Sequence, residues 1–116
     1  MDISSIEACE NDITERDIPA FNVLLKQLNA NAPVVEFEAV NRVVQKGGVI
    51  LTLRDASRGG TLIGMGTLLP ILKYYYSYGN IEDVVVDELY RRCHLGRSIV
   101  VGLILKSQGL IKNMGG

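Results

Sequence analysis

The chain has 116 residues, 47% of them apolar, which suits one domain with one modest core and excludes a disordered chain. Thirteen acidic against twelve basic residues leave a net charge of -1, and positive charge gathers only locally, at Arg91, Arg92 and Arg97 and then at Lys106 and Lys112. That excludes the broad basic face of a genomic DNA binder, so no nucleic acid partner is expected. Two cysteines, Cys9 and Cys93, and a single histidine, His94, lack the number and spacing of a disulfide framework or a metal site. The N-terminus MDISSIEACENDI carries no basic-then-apolar signal pattern, and the longest apolar run, Ser98 to Leu105, is far short of the ~20 residues of a membrane span. No membrane association and a reducing, cytoplasmic setting are expected.

Ile3 to Cys9 is a weakly patterned first strand. Asp17 stands where a helix N-cap belongs, Pro19 is tolerated in a first turn, and Ile18, Phe21, Leu24, Leu25 and Leu28 recur at helical spacing; this helix stops between Asn29 and Pro33. A second helix uses Phe37, Val40, Val43 and Val44 and ends at Gly47-Gly48. Val49 to Arg54 is rich in strand formers, Asp55 to Gly60 is a turn by composition, and Thr61 to Leu72 resumes as a strand interrupted by Gly64, Gly66 and Pro70. These glycines mark either a bulge or bend, or a place where a ligand or another chain comes close to the backbone. Ile81 to Asp87 is the strongest strand pattern, continuous in β-branched residues and so expected to be covered on both faces. Ser98 to Gln108 has strand-like Ile99, Val100 and Val101, yet its length and Gly109 as a stop favour a buried helix. The order of elements implies an α/β domain with a mixed sheet.

Function is sought where the last strand runs into the last helix, GNIEDVVVDELYRRCHLGRS from Gly79 to Ser98. A loop from a strand's carboxyl end to a helix start presents unpaired backbone N–H groups and partial positive charge, a good seat for phosphate. Arg91, Arg92 and Arg97 reinforce it, and Gly96 allows close backbone approach. The residues alone leave blander alternatives open. The loop is equally consistent with an ordinary connector carrying solvated arginines, and Cys93 with an unreactive thiol. Tyr74, Tyr75, Tyr76 and Tyr78 suit a core or dimer contact as well as a stacking surface, and Glu82 and Asp83 suit one solvated and one capping carboxylate.

Val84-Val85-Val86-Asp87, Tyr90-Arg91 and Leu95-Gly96-Arg97 resemble the central motif of the GNAT acetyltransferase superfamily, a strand and a glycine-rich loop that hold the pantetheine and pyrophosphate of acetyl-CoA. His94 stands where that motif has its first glycine. Gly79-Asn80-Ile81-Glu82-Asp83-Val84-Val85-Val86, the Gly66-Thr67-Leu68-Leu69 strand, the Lys73-Tyr74-Tyr75-Tyr76 run and the turn from Leu25 to Ala32 resemble, more narrowly, the glucosamine-6-phosphate N-acetyltransferases. The resemblance implies a GNAT-like α/β (α+β) fold with a mixed, mostly antiparallel central sheet flanked by helices. It also implies an acetyl-CoA-dependent N-acetyltransferase that acetylates glucosamine 6-phosphate in UDP-N-acetylglucosamine biosynthesis, working as a homodimer. On that basis Val84, Val85 and Val86 pair with the pantetheine arm, and Arg91, Arg92, Cys93, His94, Leu95, Gly96, Arg97 and Ser98 hold the pyrophosphate. Glu82, Asp83 and Val84 face the sugar phosphate together with Asn29, Lys73, Tyr74, Tyr75 and Tyr76. The chemistry of acetyl transfer then makes Glu82 the candidate general base, directly or through water, and a backbone N–H near Val86 the candidate donor to the thioester oxygen. Since neighbouring strand residues point to opposite faces, Glu82 and Asp83 share one pocket only if the strand bends.

Residues 1–116 are expected to form a single GNAT-like domain truncated after the helix that follows the pyrophosphate loop, lacking the family's C-terminal strand, helix and strand. The Ile81–Asp87 strand is then an exposed edge that invites pairing. A fragment, a partner copy that completes the sheet, or a degenerate module that binds coenzyme A or a partner subunit without catalysis would each account for that.

Overall fold

Alternation along Val49–Leu53 sends successive side chains to opposite faces of a strand. The computed structural model, which describes residues 3–91 and 93–113, builds one core on each of those faces. The elements are β1 (Ile6–Glu10), α1 (Ile18–Leu28), α2 (Phe37–Gln45), β2 (Val49–Asp55), β3 (Thr61–Leu72), β4 (Ser77–Val86) and α3 (Leu95–Asn113). The four strands form one antiparallel sheet in the order β1-β2-β3-β4. Val49, Leu53, Ile63, Leu68 and Val86 face α3, where they meet Ile99 and Leu103. Ile50, Leu62, Met65 and Val85 face the other way, onto Phe21 and Leu24 of α1 and Val40 of α2.

The expected elements all form, with shifted ends. Ile3–Ser5 is a short 3-10 turn and β1 starts only at Ile6. At α1, Asp17 occupies the N-cap position, but its carboxylate does not cap that helix: it accepts from Thr14 N–H (2.9 Å) and takes both guanidinium nitrogens of Arg54 (2.9 Å each). Arg54 Nε also meets Asp12 (2.8 Å). The Arg54 hydrogen bonds lower Asp17 below the usual carboxylate range, and the Arg54 and Thr52 bonds outweigh burial to lower Asp12 as well. This clasp ties β2 to the segment leading into α1. Helix α2 ends as expected at the glycine pair, where Gly48 N–H bonds Val43 C=O and Gly47 N–H bonds Val44 C=O, with Gly47 at φ +92°. That pattern requires a left-handed residue, which glycine supplies without strain.

Two expectations are corrected. Strand β4 starts at Ser77, and the expected cover on both faces holds only at its end, where Val86 packs towards α3 and Val85 towards α1 and α2, while Glu82 and Asp83 are exposed. Ahead of that end, the strand borders an open cleft. Helix α3 begins at Leu95 and runs through Gly109 to Asn113, because Ile99 and Leu103, both fully buried, anchor it on the sheet and outweigh the ~1 kcal/mol cost of an interior glycine.

The glycines of β3 mark the approach of α3. A Cβ on Gly66 would lie 2.5 Å from Ile99 Cγ2 and 2.9 Å from Leu103 Cδ1, so the helix rests directly on strand backbone. Gly66→Ala is expected to lower unfolding stability by about 1–3 kcal/mol through overpacking, measured by urea denaturation.

Candidate active site

The pairing of β3 with β4 slips by one residue at the centre of the sheet. Met65 faces Val85 and Thr67 faces Glu82, so Asp83 and Val84 together oppose Gly66 alone. This is a β-bulge, and Asp83 within it adopts φ +54°, a left-handed conformation that Asp tolerates better than most residues. The extra residue cancels the usual alternation. Glu82 and Asp83 therefore border the same cleft of about 300 Å³, between the sheet and the helices α1 and α2. The remaining wall is apolar, with Phe21 and Leu25 from α1, Ala39 and Val43 from α2, and Met65 from β3 among its residues. Among the described residues lining it there is no Lys, Arg or His. Glu82 is held from its own strand by Asn80, whose Nδ2 donates to Glu82 Oε1 at 2.6 Å.

The next residue, Val84, borders a second cleft of about 380 Å³ together with Val85, Val86, Arg91, His94, Gly96 and Arg97. The bulge thus sets two clefts side by side. β4 is an edge strand, and Val86 pairs with Gly64 while Asp87 N–H bonds Ile63 C=O. In that register the N–H and C=O of Val86 both face away from β3. Its carbonyl accepts from Arg91 Nε at 3.1 Å, and its N–H points to the same side. At the far end of this cleft α3 begins: Ser98 N–H bonds His94 C=O, so the N–H groups of Leu95, Gly96 and Arg97 have no carbonyl within the helix. His94 adopts φ +58°, the backbone conformation for which glycine carries no penalty. Arranged this way, the cleft offers an extended backbone edge at one end and a positive helix start with two arginines at the other. Such a pair suits a long ligand that ends in an anion.

The turn carrying Arg91 is anchored from both sides of the sheet. From the α1 side, Gln27 Oε1 accepts from Glu88 N–H (2.9 Å) and from Arg91 Nη2 (3.4 Å), and its Nε2 donates to Asp87 (3.4 Å). From the α3 side, the buried Tyr90 hydroxyl donates to Asp55 at 2.6 Å. Asp55 also accepts from the Ser57 hydroxyl (2.6 Å) and backbone N–H (3.0 Å), and from Ser5 Oγ (2.9 Å). The Ser57 hydroxyl first, then Tyr90 and Ser5, hold the Asp55 carboxyl down at about 2, and the Asp55 bond together with burial raises Tyr90 above its usual value.

Of the residues expected at the site, the structure brings Glu82 and Asp83 to one cleft and Val84, Val85, Val86, Arg91, His94, Leu95, Gly96 and Arg97 to the other. Cys93, half-buried, and Ser98 flank the second, and Arg92 lies outside the described residues. Asn29, Lys73, Tyr74, Tyr75 and Tyr76 border neither cleft. Asn29 caps the end of α1 and accepts from Asn31 N–H (3.0 Å), while Lys73 to Tyr76 form the exposed turn between β3 and β4, with Tyr74 and Tyr75 almost wholly in solvent. Gln27, Asn80 and Asp55 escaped the sequence reading. For Gln27 a signal existed, since it follows Leu24 by three residues and shares its helix face.

Two outcomes test this geometry. Asp83→Val is expected to cost about 1–2 kcal/mol because a β-branched residue resists the left-handed region, whereas Asp83→Asn should leave stability within about 0.5 kcal/mol; urea denaturation distinguishes them. Because Asp55 titrates lower folded than the about 3.9 of an unfolded chain, its contribution is complete above about pH 4 and is lost as the pH falls towards 2. Asp55→Asn should therefore flatten the fall of stability over that interval in acid-unfolding curves.

An antiparallel sheet with helices on both faces, a bulged edge strand and a helix start suited to an anion together frame the two clefts. The chain belongs to the acetyltransferase (GNAT) family, whose model matches residues 13–109. It is 28% identical over 107 residues to a glucosamine 6-phosphate N-acetyltransferase of Trypanosoma brucei brucei, a match spanning 86% of this chain and 73% of that protein. Among solved structures it resembles a Trypanosoma brucei acetyltransferase (TM-score 0.75, 25% identity, covering 90% of this chain and 75% of the other). It shares the fold of the glucosamine-6-phosphate N-acetyltransferase of Arabidopsis thaliana (TM-score 0.73, 24% identity, covering 90% and 77%).

Proposed function

We propose that this chain is an acetyl-CoA-dependent N-acetyltransferase whose acceptor is glucosamine 6-phosphate, supplying UDP-N-acetylglucosamine biosynthesis. The observation that carries the reading is the β4 bulge, which sets Glu82 and Asp83 on one cleft and the backbone of the residues that follow, Val84 to Val86, on a second cleft. The cofactor-side cleft fits an acyl-pantetheine arm lying along Val84, Val85 and Val86 as an added strand. The pyrophosphate then lies at the start of α3, against the N–H groups of Leu95 to Arg97 and the side chains of Arg91 and Arg97. Cys93, His94 and Ser98 complete that loop.

Acetyl transfer needs an uncharged amine and a stabilised thioester oxygen. Glu82, oriented by Asn80, takes the ammonium proton directly or through water, and Val86 N–H donates to the carbonyl oxygen as it gains charge. The amine attacks the thioester carbon, the C–S bond breaks, and coenzyme A leaves as the thiol or thiolate. Asp83 binds the acceptor amine or its hydroxyls. The protein acts in the cytoplasm as a homodimer of single-domain chains, with the partner meeting the start of the β4 edge, away from Val84 to Val86, and the exposed Lys73 to Tyr76 turn. No helix of the described residues is long and apolar enough to cross a membrane.

A second reading is favoured by the acceptor cleft itself. Its described lining is apolar apart from Thr67 and the two carboxylates, with no cation to hold a phosphate. An amine with an apolar body fits such walls better than a sugar phosphate unless a partner copy supplies the positive charge.

Isothermal titration with acetyl-CoA, followed by a free-thiol release assay over glucosamine 6-phosphate and a series of aryl and alkyl amines, decides among these readings. Thiol release with the sugar phosphate supports the first reading, and release only with apolar amines the second. Binding without release for any acceptor identifies a coenzyme A-binding module, and no binding overturns all three. With the productive acceptor, Glu82→Gln should lower kcat by about 10²-fold and remove the acid limb of the pH–rate profile. An unchanged profile removes Glu82 from the role of base.

A further inference from the structure

The turn Asp87–Arg91 beside the second cleft is hydrogen-bonded by a side chain of α1, the helix that walls the first cleft through Phe21 and Leu25. Gln27 makes that grip with both ends of its amide. The oxygen accepts from the backbone N–H of Glu88 and from the Arg91 guanidinium, and the nitrogen donates to the Asp87 carboxylate. Few side chains meet all three demands at this length. A glutamate would set a second negative charge against Asp87, a lysine has no acceptor for Glu88 or Arg91, and a methionine reaches but bonds with neither.

The consequence falls on Arg91. Its side chain is otherwise exposed, and an arginine left free loses rotamer entropy whenever it engages an anion. Here Nε is bound to Val86 C=O and Nη2 to Gln27, which fixes the plane of the guanidinium and leaves its remaining N–H donors for the cleft. Preorganisation of this kind raises affinity by reducing the ordering cost of binding.

We propose that Gln27, through its amide contacts to Glu88 and Arg91, is a positioning residue that fixes Arg91 for the diphosphate of coenzyme A. It does so from the helix that forms the acceptor cleft, and the assignment rests on the acetyl-CoA reading above. Gln27 touches neither ligand in this assignment and acts only through the turn.

The test is calorimetric binding of coenzyme A and of pantetheine, which lacks the phosphates, to the full chain and to Gln27→Met, Arg91→Ala and the double variant. Gln27→Met should weaken coenzyme A binding about tenfold, as expected for losing a hydrogen bond to a charged group. Pantetheine binding should stay within about twofold, and in the Arg91→Ala background the same substitution should change coenzyme A binding by less than about twofold, because coupled residues are not additive. Equal weakening of both ligands, an undiminished effect without Arg91, or no effect at all would overturn the assignment. If wild-type protein fails to bind coenzyme A, the acetyl-CoA reading falls as well, and that result is read before any variant is made. Should Gln27→Met shift the thermal midpoint, Gln27→Ala, with the strongest helix former at the same position, repeats the comparison.

Discussion

A single extra residue in β4 is the constraint on which the two clefts depend. Without the bulge, Glu82 and Asp83 would point to opposite faces of the sheet, and the strand would continue straight past Gly66. With it, consecutive residues turn towards adjoining spaces, and the edge of the strand swings its backbone outwards where Val86 and Arg91 meet. The bulge has help from across the sheet. Gly66 opposite it has no side chain, so α3 can settle onto β3 at the very position where the partner strand gains length.

The anchoring of the following turn complements that arrangement. Asp55 sits at the end of β2 and Gln27 near the end of α1, far apart in sequence, yet they hold adjacent residues of the same five-residue turn. Positive charge is sparse in the chain as a whole, and what there is near β4 is placed rather than accumulated. Arg91 is tied to Val86 and Gln27, while Arg54 is spent entirely on structure between Asp12 and Asp17. A near-neutral protein can thus present a locally basic helix start without a basic surface.

Much of this was legible in the sequence because local signals and tertiary packing agreed. The helical spacing of Phe21, Leu24 and Leu25, the Gly47-Gly48 stop and the strand formers of Val49 to Arg54 each specify an element without reference to the rest of the chain. The acidic pair and the valines of β4 were recognisable through their family resemblance. The bulge was not, since nothing in Glu82-Asp83-Val84 announces that an aspartate will take a left-handed φ; that is decided by the register of β3. Cover over β4 was legible only in part. A run of β-branched residues is ordinarily read as buried on both faces, which holds for Val85 and Val86 but not for Glu82 and Asp83, which border a cleft. Likewise α3 starts at Leu95, ahead of the Ser98 that the sequence suggests, because His94, not a glycine or a capping side chain, makes the turn into it. Gln27 and Asp55 act over separations of about sixty and thirty-five positions, and no local pattern encodes contacts of that range.

The meander has a bearing on how the molecule assembles and opens. β2, β3 and β4 follow one another through short turns, so most of the sheet is made of contacts between neighbours in sequence, which form quickly. β1 is the exception: Ile6 pairs with Asp55 only after the chain has passed through both α1 and α2. Its five residues are largely exposed and add little to either core, so that end of the molecule is held mainly by polar contacts: the ladder with β2, Ser5 on Asp55, and the Asn11 side chain on Ile50. Few buried apolar contacts and an exposed ladder put the β1 end at the low-stability end of the native structure, apart from the strands that carry both clefts.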